Sequence, residues 1–98
     1  MDNHTVKIFV KWVAKPNKIN EVLVLLQEIA KQSRAETGNI SYQIYLSKIE
    51  TDTIFLVEEY TNAEAVQAHK NSFHYQEFVV NQIIPLLDVR EVHIVESI

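Results

Sequence analysis

Apolar residues in this chain recur with a period of two in four segments, and with helical spacing in the segments between them. In the first segment Val6, Ile8, Val10 and Trp12 alternate with residues of the opposite face, which is the pattern of a strand. The spacing predicts strands over 5–14, 40–47, 54–60 and 89–98, and helices over 17–33, 62–69 and 73–84. This order predicts an α+β, ferredoxin-like β-α-β-β-α-β fold whose second helical connection is interrupted.

The two faces of the predicted sheet differ in what covers them. A polar turn over 48–52 joins the second and third strands into an antiparallel hairpin, and we expect the helices to cover one face of the sheet. Phe9 and Val13 make the other face of the first strand apolar too. Because an apolar sheet face needs a covering, we predict a homodimer that packs sheet against sheet.

Two local signals predict where helices end and begin. Gly38 is the only glycine and follows the first helix, so we expect it to end that helix in the left-handed conformation. Thr61 and Glu64 have the spacing of a capping box, which predicts a helix that begins at Asn62.

Composition excludes several classes of protein. Ninety-eight residues predict one domain, 1–98, and a net charge of −4 without a lysine or arginine cluster disfavours nucleic-acid binding. We find no basic leader followed by an apolar core and no apolar run of the roughly 20 residues that a membrane span needs. The chain has no cysteine, which excludes thiolate chemistry and suits a reducing compartment. We therefore expect a cytoplasmic protein without membrane or nucleic-acid partners.

Three side chains of the segment 58–69 are candidates for proton transfer: Glu58, Tyr60 and His69. Glu58 and Tyr60 share a face of the third strand with apolar residues, so Glu58 is either paired with a cation or a helix end, or functional. His69 lies near the end of the next helix beside its apolar side. Histidine titrates near neutrality, so it could accept a proton from a substrate; the alternative is an imidazole bonded to a helix-end carbonyl.

Other candidates give weaker signals. His74 follows His69 by five residues across a predicted break, which is not the spacing of a helical metal pair, so we predict no metal site. No glycine-rich loop is present to hold a phosphate, and we predict no cofactor. Phe9, Tyr42 and Phe73 are candidates for substrate contact, although aromatic residues at such positions are more often core.

The chain resembles the antibiotic biosynthesis monooxygenase superfamily. The resemblance rests on the segments 55–60, 65–70 and 72–75, in which Glu-x-Tyr ends an apolar strand and Ala-Val-Gln-Ala-His-Lys and Ser-Phe-His-Tyr follow. Lys15-Pro16-Asn17 and Glu36-x-Gly38-Asn39-Ile40 also fit, and the quorum-signal processing and quinol monooxygenase subgroups are the most similar by eye. The resemblance implies a dimeric α+β barrel with a pocket between sheet and helices.

Residue roles follow from the same resemblance. It implies His69 as the catalytic residue, with Glu58 and Tyr60 lining or ordering the pocket and His74 and Tyr75 at its rim. Family members include cofactor-free oxygenases of phenols, quinol oxidases, haem-degrading enzymes and an isomerase of a phosphorylated signal sugar. Haem degradation is disfavoured, because those members have tryptophan where this chain has His69 and a ligating histidine where it has Val79-Val80-Asn81.

Several functions remain open from the sequence. The first is a cofactor-free monooxygenase that acts on a small quinol, phenol or enol, with His69 as proton acceptor. The second is an isomerase or degradation enzyme for a small quorum-signal sugar, which could use the same base. A binding module that holds a small molecule without converting it, or a dimeric scaffold with a filled pocket, would not need His69 to titrate.

Overall fold

The structure is a computed structural model that describes residues 5–98. Its elements follow the predicted order, with the second helical connection divided in two. They are β1 (Val6–Ala14), α1 (Ile19–Arg34), β2 (Asn39–Leu46), β3 (Thr53–Tyr60), α2 (Ala63–Asn71), α3 (Tyr75–Ile83) and β4 (Leu87–Val95). Within this described part, no helix is long and apolar enough to cross a membrane.

The four strands form one antiparallel sheet in the order β2-β3-β1-β4. The hairpin of β2 and β3 is confirmed, and β1 lies between β3 and β4. This arrangement confirms the ferredoxin-like α+β fold predicted from the alternating pattern.

The core lies between the sheet and the helices. Alternate residues of β1 and β3 point into it, among them Trp12, Ile54 and Leu56, and α1 contributes Leu26 and Ile29. Burial of each such side chain stabilises the fold by roughly 1.5–3 kcal/mol. The same alternation that builds the core also directs Glu58 and Tyr60 towards the helices.

The expectation for Gly38 was wrong. Among residues 5–98 the left-handed conformation occurs at Asn17 and Asp52, and Gly38 does not adopt it. Glycine is needed at this position for a different reason: a Cβ atom here would overlap with the Cβ atom of Ala65 in α2. Gly38 thus allows the start of β2 and the helix α2 to approach each other closely.

The start of α2 differs slightly from the prediction. Asn62, not Thr61, is the N-terminal cap, and its side-chain oxygen accepts a hydrogen bond of 2.9 Å from the backbone nitrogen of Ala65. Asparagine is among the best capping residues, and a cap at this position starts the helix at Ala63. Thr61 instead donates its backbone N–H to the carbonyl of Gly38, at 2.9 Å.

The last helix and strand also differ from the pattern-based boundaries. α3 is wound as a π-helix, in which each backbone N–H bonds five residues back. A short 3₁₀ turn, Ile84–Leu86, then leads directly into β4. β4 therefore begins at Leu87 and ends at Val95, and the predicted Ile98 lies outside it.

No helix of residues 5–98 covers the second face of the sheet. Phe9 of β1 and Phe55 of β3 project from this face, with 44% and 36% of their surfaces exposed. Opposite pairs such as Lys11 with Phe55 and Phe9 with Val57 show that the two strands contribute to the same surface. The sheet-to-sheet homodimer remains a prediction that this apolar surface motivates.

Candidate functional site

Glu58 and Tyr60 form a buried hydrogen-bonded pair at the end of β3. Because they are two residues apart in a strand, both side chains point to the helix side of the sheet. The hydroxyl of Tyr60 donates a hydrogen bond of 2.7 Å to Oε1 of Glu58. No lysine or helix end within residues 5–98 pairs with Glu58, so the alternative of a structural ion pair at this position does not hold.

His69 is placed against this pair by α2. Val66 and His69 are three residues apart, lie on the same side of the helix and are its two buried residues. The imidazole packs against the rings of Tyr60 and Tyr75, with both centroid separations 5.2 Å, and lies 6.2 Å from that of Tyr42. Nε2 of His69 lies 3.8 Å from Oε1 of Glu58, which is beyond hydrogen-bond range.

Glu36 holds the other side of the imidazole. It lies in the connection between α1 and β2, and its Oε2 atom is 2.8 Å from Nδ1 of His69 and 2.5 Å from Nε2 of His74. Sequence reasoning missed Glu36 as a site residue, although it noted Glu36 and Gly38 as part of the resemblance. Glycine at 38 was the available signal, because it brings this connection against α2.

The hydrogen bonds determine which nitrogen of His69 carries the proton. An ionised carboxyl group can only accept hydrogen bonds, so the bond to Glu36 requires the proton on Nδ1. We therefore assign the Nδ1–H form to the neutral ring. Nε2 then has a free lone pair on the side that faces Glu58.

Burial changes the pKa values of both groups. It lowers the pKa of His69, and this effect outweighs the hydrogen bond and charge of Glu36, which raise that pKa. Burial raises the pKa of Glu58 from 4.5 to about 7, although the hydrogen bond from Tyr60 acts in the opposite direction. Since the lowered pKa keeps His69 neutral near pH 7, His69 and Glu58 are not an ion pair in the resting protein.

The neighbouring phenols stay protonated. Burial raises the pKa of Tyr42 and that of Tyr60 well above their ordinary value, and the charge of Glu58 raises both further. The phenol of Tyr60 can therefore donate its hydrogen bond to Glu58 throughout the neutral pH range.

An open cavity of about 270 Å³ lies between the sheet and the helices beside these groups. Glu58, His69, Tyr42 and Tyr75 line it, together with apolar side chains of β1. This volume is just below the range typical of drug-sized ligands, so the cavity suits a small molecule.

Not every predicted contact residue reaches the cavity. Tyr60 and His74 do not line the cavity: Tyr60 donates its hydroxyl to Glu58, and His74 contacts Glu36. Phe73 is 76% exposed and packs edge-on against Phe78, with ring centroids 6.4 Å apart. Phe9 points to the opposite face of the sheet, because odd-numbered residues of β1 face away from the helices.

Among residues 5–98, one group of side chains has the composition of a metal site. The ligand atoms of Glu36, His69 and His74 lie within 4.8 Å of one another. In the structure one carboxylate oxygen accepts from both imidazoles, so the three groups already satisfy one another by hydrogen bonds. We interpret them as a hydrogen-bonded cluster that orients His69.

Comparison with known proteins assigns the family. Residues 5–81 match the family model described as antibiotic biosynthesis monooxygenase. The chain belongs to the antibiotic biosynthesis monooxygenase family. The matched region includes every residue of the site described above.

Individual proteins are similar to the chain in sequence or in fold. The chain is 34% identical over 65 residues to the "Putative monooxygenase YcnE" of Bacillus subtilis (strain 168), an alignment that covers 66% of this chain and 68% of that protein. The solved structure of Rv0793 from Mycobacterium tuberculosis superposes with a TM-score of 0.88 at 25% identity, and covers 96% of this chain and 95% of that one. The "Putative antibiotic biosynthesis monooxygenase" from Nitrosomonas europaea gives a TM-score of 0.91 at 21% identity, and covers 100% and 94%.

Proposed function

We propose that this member of the family is a cofactor-independent monooxygenase that acts on a small quinol, phenol or enol. One arrangement carries the proposal: His69 lines a small cavity while Glu36 contacts its Nδ1 atom, which in our assignment leaves the lone pair of Nε2 free. A base in this state at neutral pH is what deprotonation of a bound hydroxyl group requires.

The first step is proton transfer from the substrate hydroxyl to Nε2 of His69. The resulting anion is electron-rich and passes one electron to O₂, and the two radicals combine to form a carbon–oxygen bond. The peroxide takes up the proton held by His69, and its O–O bond then breaks. One oxygen atom remains on carbon as a carbonyl group; the other leaves as water with the former hydroxyl hydrogen and the hydrogen lost from that carbon.

Glu58 stabilises the charged form of the base. Once His69 is protonated, the carboxylate of Glu58, 3.8 Å from Nε2 in the resting protein, becomes its opposite charge in a buried site. Tyr60 holds that carboxylate in place through the 2.7 Å hydrogen bond. The apolar walls keep water away from the substrate anion, which strengthens both interactions.

A second candidate function is isomerisation next to a carbonyl group. The pKa of Glu58 is about 7, so near neutrality part of the protein has a protonated carboxyl group beside a neutral imidazole. This pair of a base and an acid could take a proton from one carbon and return one at the neighbouring position. A quorum-signal sugar would be a substrate of this kind, and such a reaction consumes no oxygen.

Oxygen consumption tests the proposal and separates the two functions. The protein, dialysed against EDTA, is mixed with menadiol, and oxygen uptake is followed above the spontaneous oxidation measured with buffer. We expect catalysed uptake together with hydroxylated or oxidised product. Uptake equal to that of buffer, over a series of small quinols and phenols, would rule out the oxygenase.

We also propose that two copies pack their uncovered sheet faces together. Phe9 and Phe55 supply the apolar surface, and Lys11 and Glu91 of neighbouring strands supply charges of both signs on the same face. A two-fold dimer of this kind buries the same patch on both copies.

A further inference from the structure

The mouth of the cavity contains two cations that the proposed reaction does not use. Arg90 of β4 and Lys70 of α2 both line the cavity, although the chain as a whole has a net charge of −4. Neither side chain forms an ion pair with any acidic residue of the described range 5–98. Both cations therefore lack an acidic partner within residues 5–98, although Glu58 lines the same cavity.

Arg90 is held at the cavity by two neighbours. It lies directly opposite Trp12 in the pairing of β1 with β4, and its Nη2 atom donates a hydrogen bond of 3.1 Å to the hydroxyl of Tyr75. The indole N–H of Trp12 is buried and has no hydrogen-bond partner among residues 5–98. The hydroxyl of Tyr75 thus holds the guanidinium of Arg90 beside the cavity.

Lys70 lines the same cavity from α2 and is next to His69 in sequence. Its charge is close enough to the imidazole to contribute to lowering the pKa of His69. A negative group bound at the mouth would therefore meet positive charge from both β4 and α2.

Tyr75 connects the positive charge of Arg90 with the proposed base, His69. Tyr75 reaches from one to the other: its ring centroid is 5.2 Å from that of His69, and its hydroxyl is 3.1 Å from Arg90. A ligand with one or two aromatic rings can therefore place a hydroxyl at Nε2 of His69 and a carboxylate at Arg90.

We propose that Arg90 and Lys70 form an anion subsite, and that the substrate is an aromatic hydroxy acid whose carboxylate binds there. This inference rests on the proposed function only for the position of the reacting hydroxyl. The guanidinium pairs with a carboxylate through two parallel hydrogen bonds, which fixes the orientation of the ring as well as its affinity.

Binding measurements with matched ligands test the subsite. 6-Hydroxy-2-naphthoate and its uncharged analogue 6-hydroxy-2-naphthamide have the same rings and carry the hydroxyl at the opposite end from the carboxylate or amide. Their dissociation constants are measured by calorimetry. We expect the acid to bind roughly tenfold more tightly, and the difference to shrink as salt is added. Equal affinities, or tighter binding of the amide, would overturn the proposal.

Three variants locate the effect. Arg90→Gln should abolish most of the preference for the acid, Lys70→Gln should reduce it, and Lys31→Gln, an equal change of charge at an exposed position in the last turn of α1, should leave it intact. A preference that survives in the double variant of Arg90 and Lys70 would show that the anion binds elsewhere. Circular dichroism checks that each variant is folded.

These measurements are independent of turnover, so the two proposals can fail separately. If the acid binds with the expected dependence on Arg90 but no quinol or phenol is oxygenated, the subsite stands and the monooxygenase does not. If oxygen is consumed equally well with neutral and acidic quinols in the wild type and in Arg90→Gln, the monooxygenase stands and the subsite does not.

Discussion

The two faces of the sheet are built from alternate residues of the same strands, yet they carry different chemistry. On the helix side β3 presents Glu58 and Tyr60, both buried, whereas on the open side it presents Phe55 and Glu59. Burial raises the pKa of Glu58, and Glu59 is only partly buried. The two adjacent glutamates thus differ in burial, because the helices cover the face to which Glu58 points.

This contrast shows that the chemistry of the candidate site depends on the helices that cover the sheet as much as on the types of its residues. His69 and His93 make the same point, because His69 is buried between Glu36 and Glu58 while His93 lies on the open face of β4 with most of its side chain exposed.

The largest effect is expected at His69. His69→Gln removes the base without a large change in size, and general base catalysis contributes about 100-fold to 10,000-fold in rate. We expect kcat for quinol oxygenation to fall by at least about 100-fold, with a small change in KM. His93→Gln on the open face is the control and should retain full activity; a His69→Gln variant as active as this control would exclude His69 as the base.

Glu58 gives the next effect, in stability and in the pH profile. Its pKa is raised from 4.5 to about 7 in the folded protein, so the native state holds a proton that the unfolded state has released. Stability is therefore expected to fall as pH rises from about 4.5 to 7, by up to about 3 kcal/mol, and Glu58→Gln should remove this loss. Denaturant unfolding of wild type and variant between pH 4.5 and 8 measures the difference.

The ionisation of Glu58 is also expected to control how kcat depends on pH. Because ionised Glu58 stabilises protonated His69, we expect kcat to rise as pH passes through about 7 and this rise to be absent in Glu58→Gln. Glu59→Gln, one residue away on the open face, is the matched control. A pH profile shared by all three proteins would contradict the role of Glu58.

The open face is tested by Phe9→Glu. A charge placed on both copies of an apolar interface costs several kcal/mol through burial and like-charge repulsion, so we expect the dimer to dissociate at micromolar concentration. Sedimentation velocity measures this, with Phe73→Glu, an exposed aromatic outside the proposed interface, as control. Wild-type protein that sediments as a monomer would contradict the dimer itself.

The sequence was sufficient for the fold and for part of the site. Alternation in β1 and β3 predicted the sheet and the shared face of Glu58 and Tyr60. Helical spacing predicted that His69 lies beside the apolar side of its helix, which packs on that face. Glu36 could not be found in this way, since it lies in a connection where no periodicity fixes the direction of a side chain. The reason for Gly38 was missed likewise, because the contact with Ala65 joins segments distant in sequence.

Glu36 provides the finest test, because it acts on the covered face through His69. Glu36→Gln keeps the size of the side chain but removes the charge, and its amide can donate as well as accept a hydrogen bond. We expect kcat to fall roughly tenfold, KM to change little, and part of the ring population of His69 to move its proton from Nδ1 to Nε2. Nitrogen-15 NMR of labelled histidine reports that proton directly, and Glu36→Asp should show whether a shorter carboxylate restores the wild-type form. A ring that keeps its Nδ1 proton fully in Glu36→Gln would mean that another group orients His69, since the hydrogen bond of 2.8 Å is the contact that fixes it in our assignment.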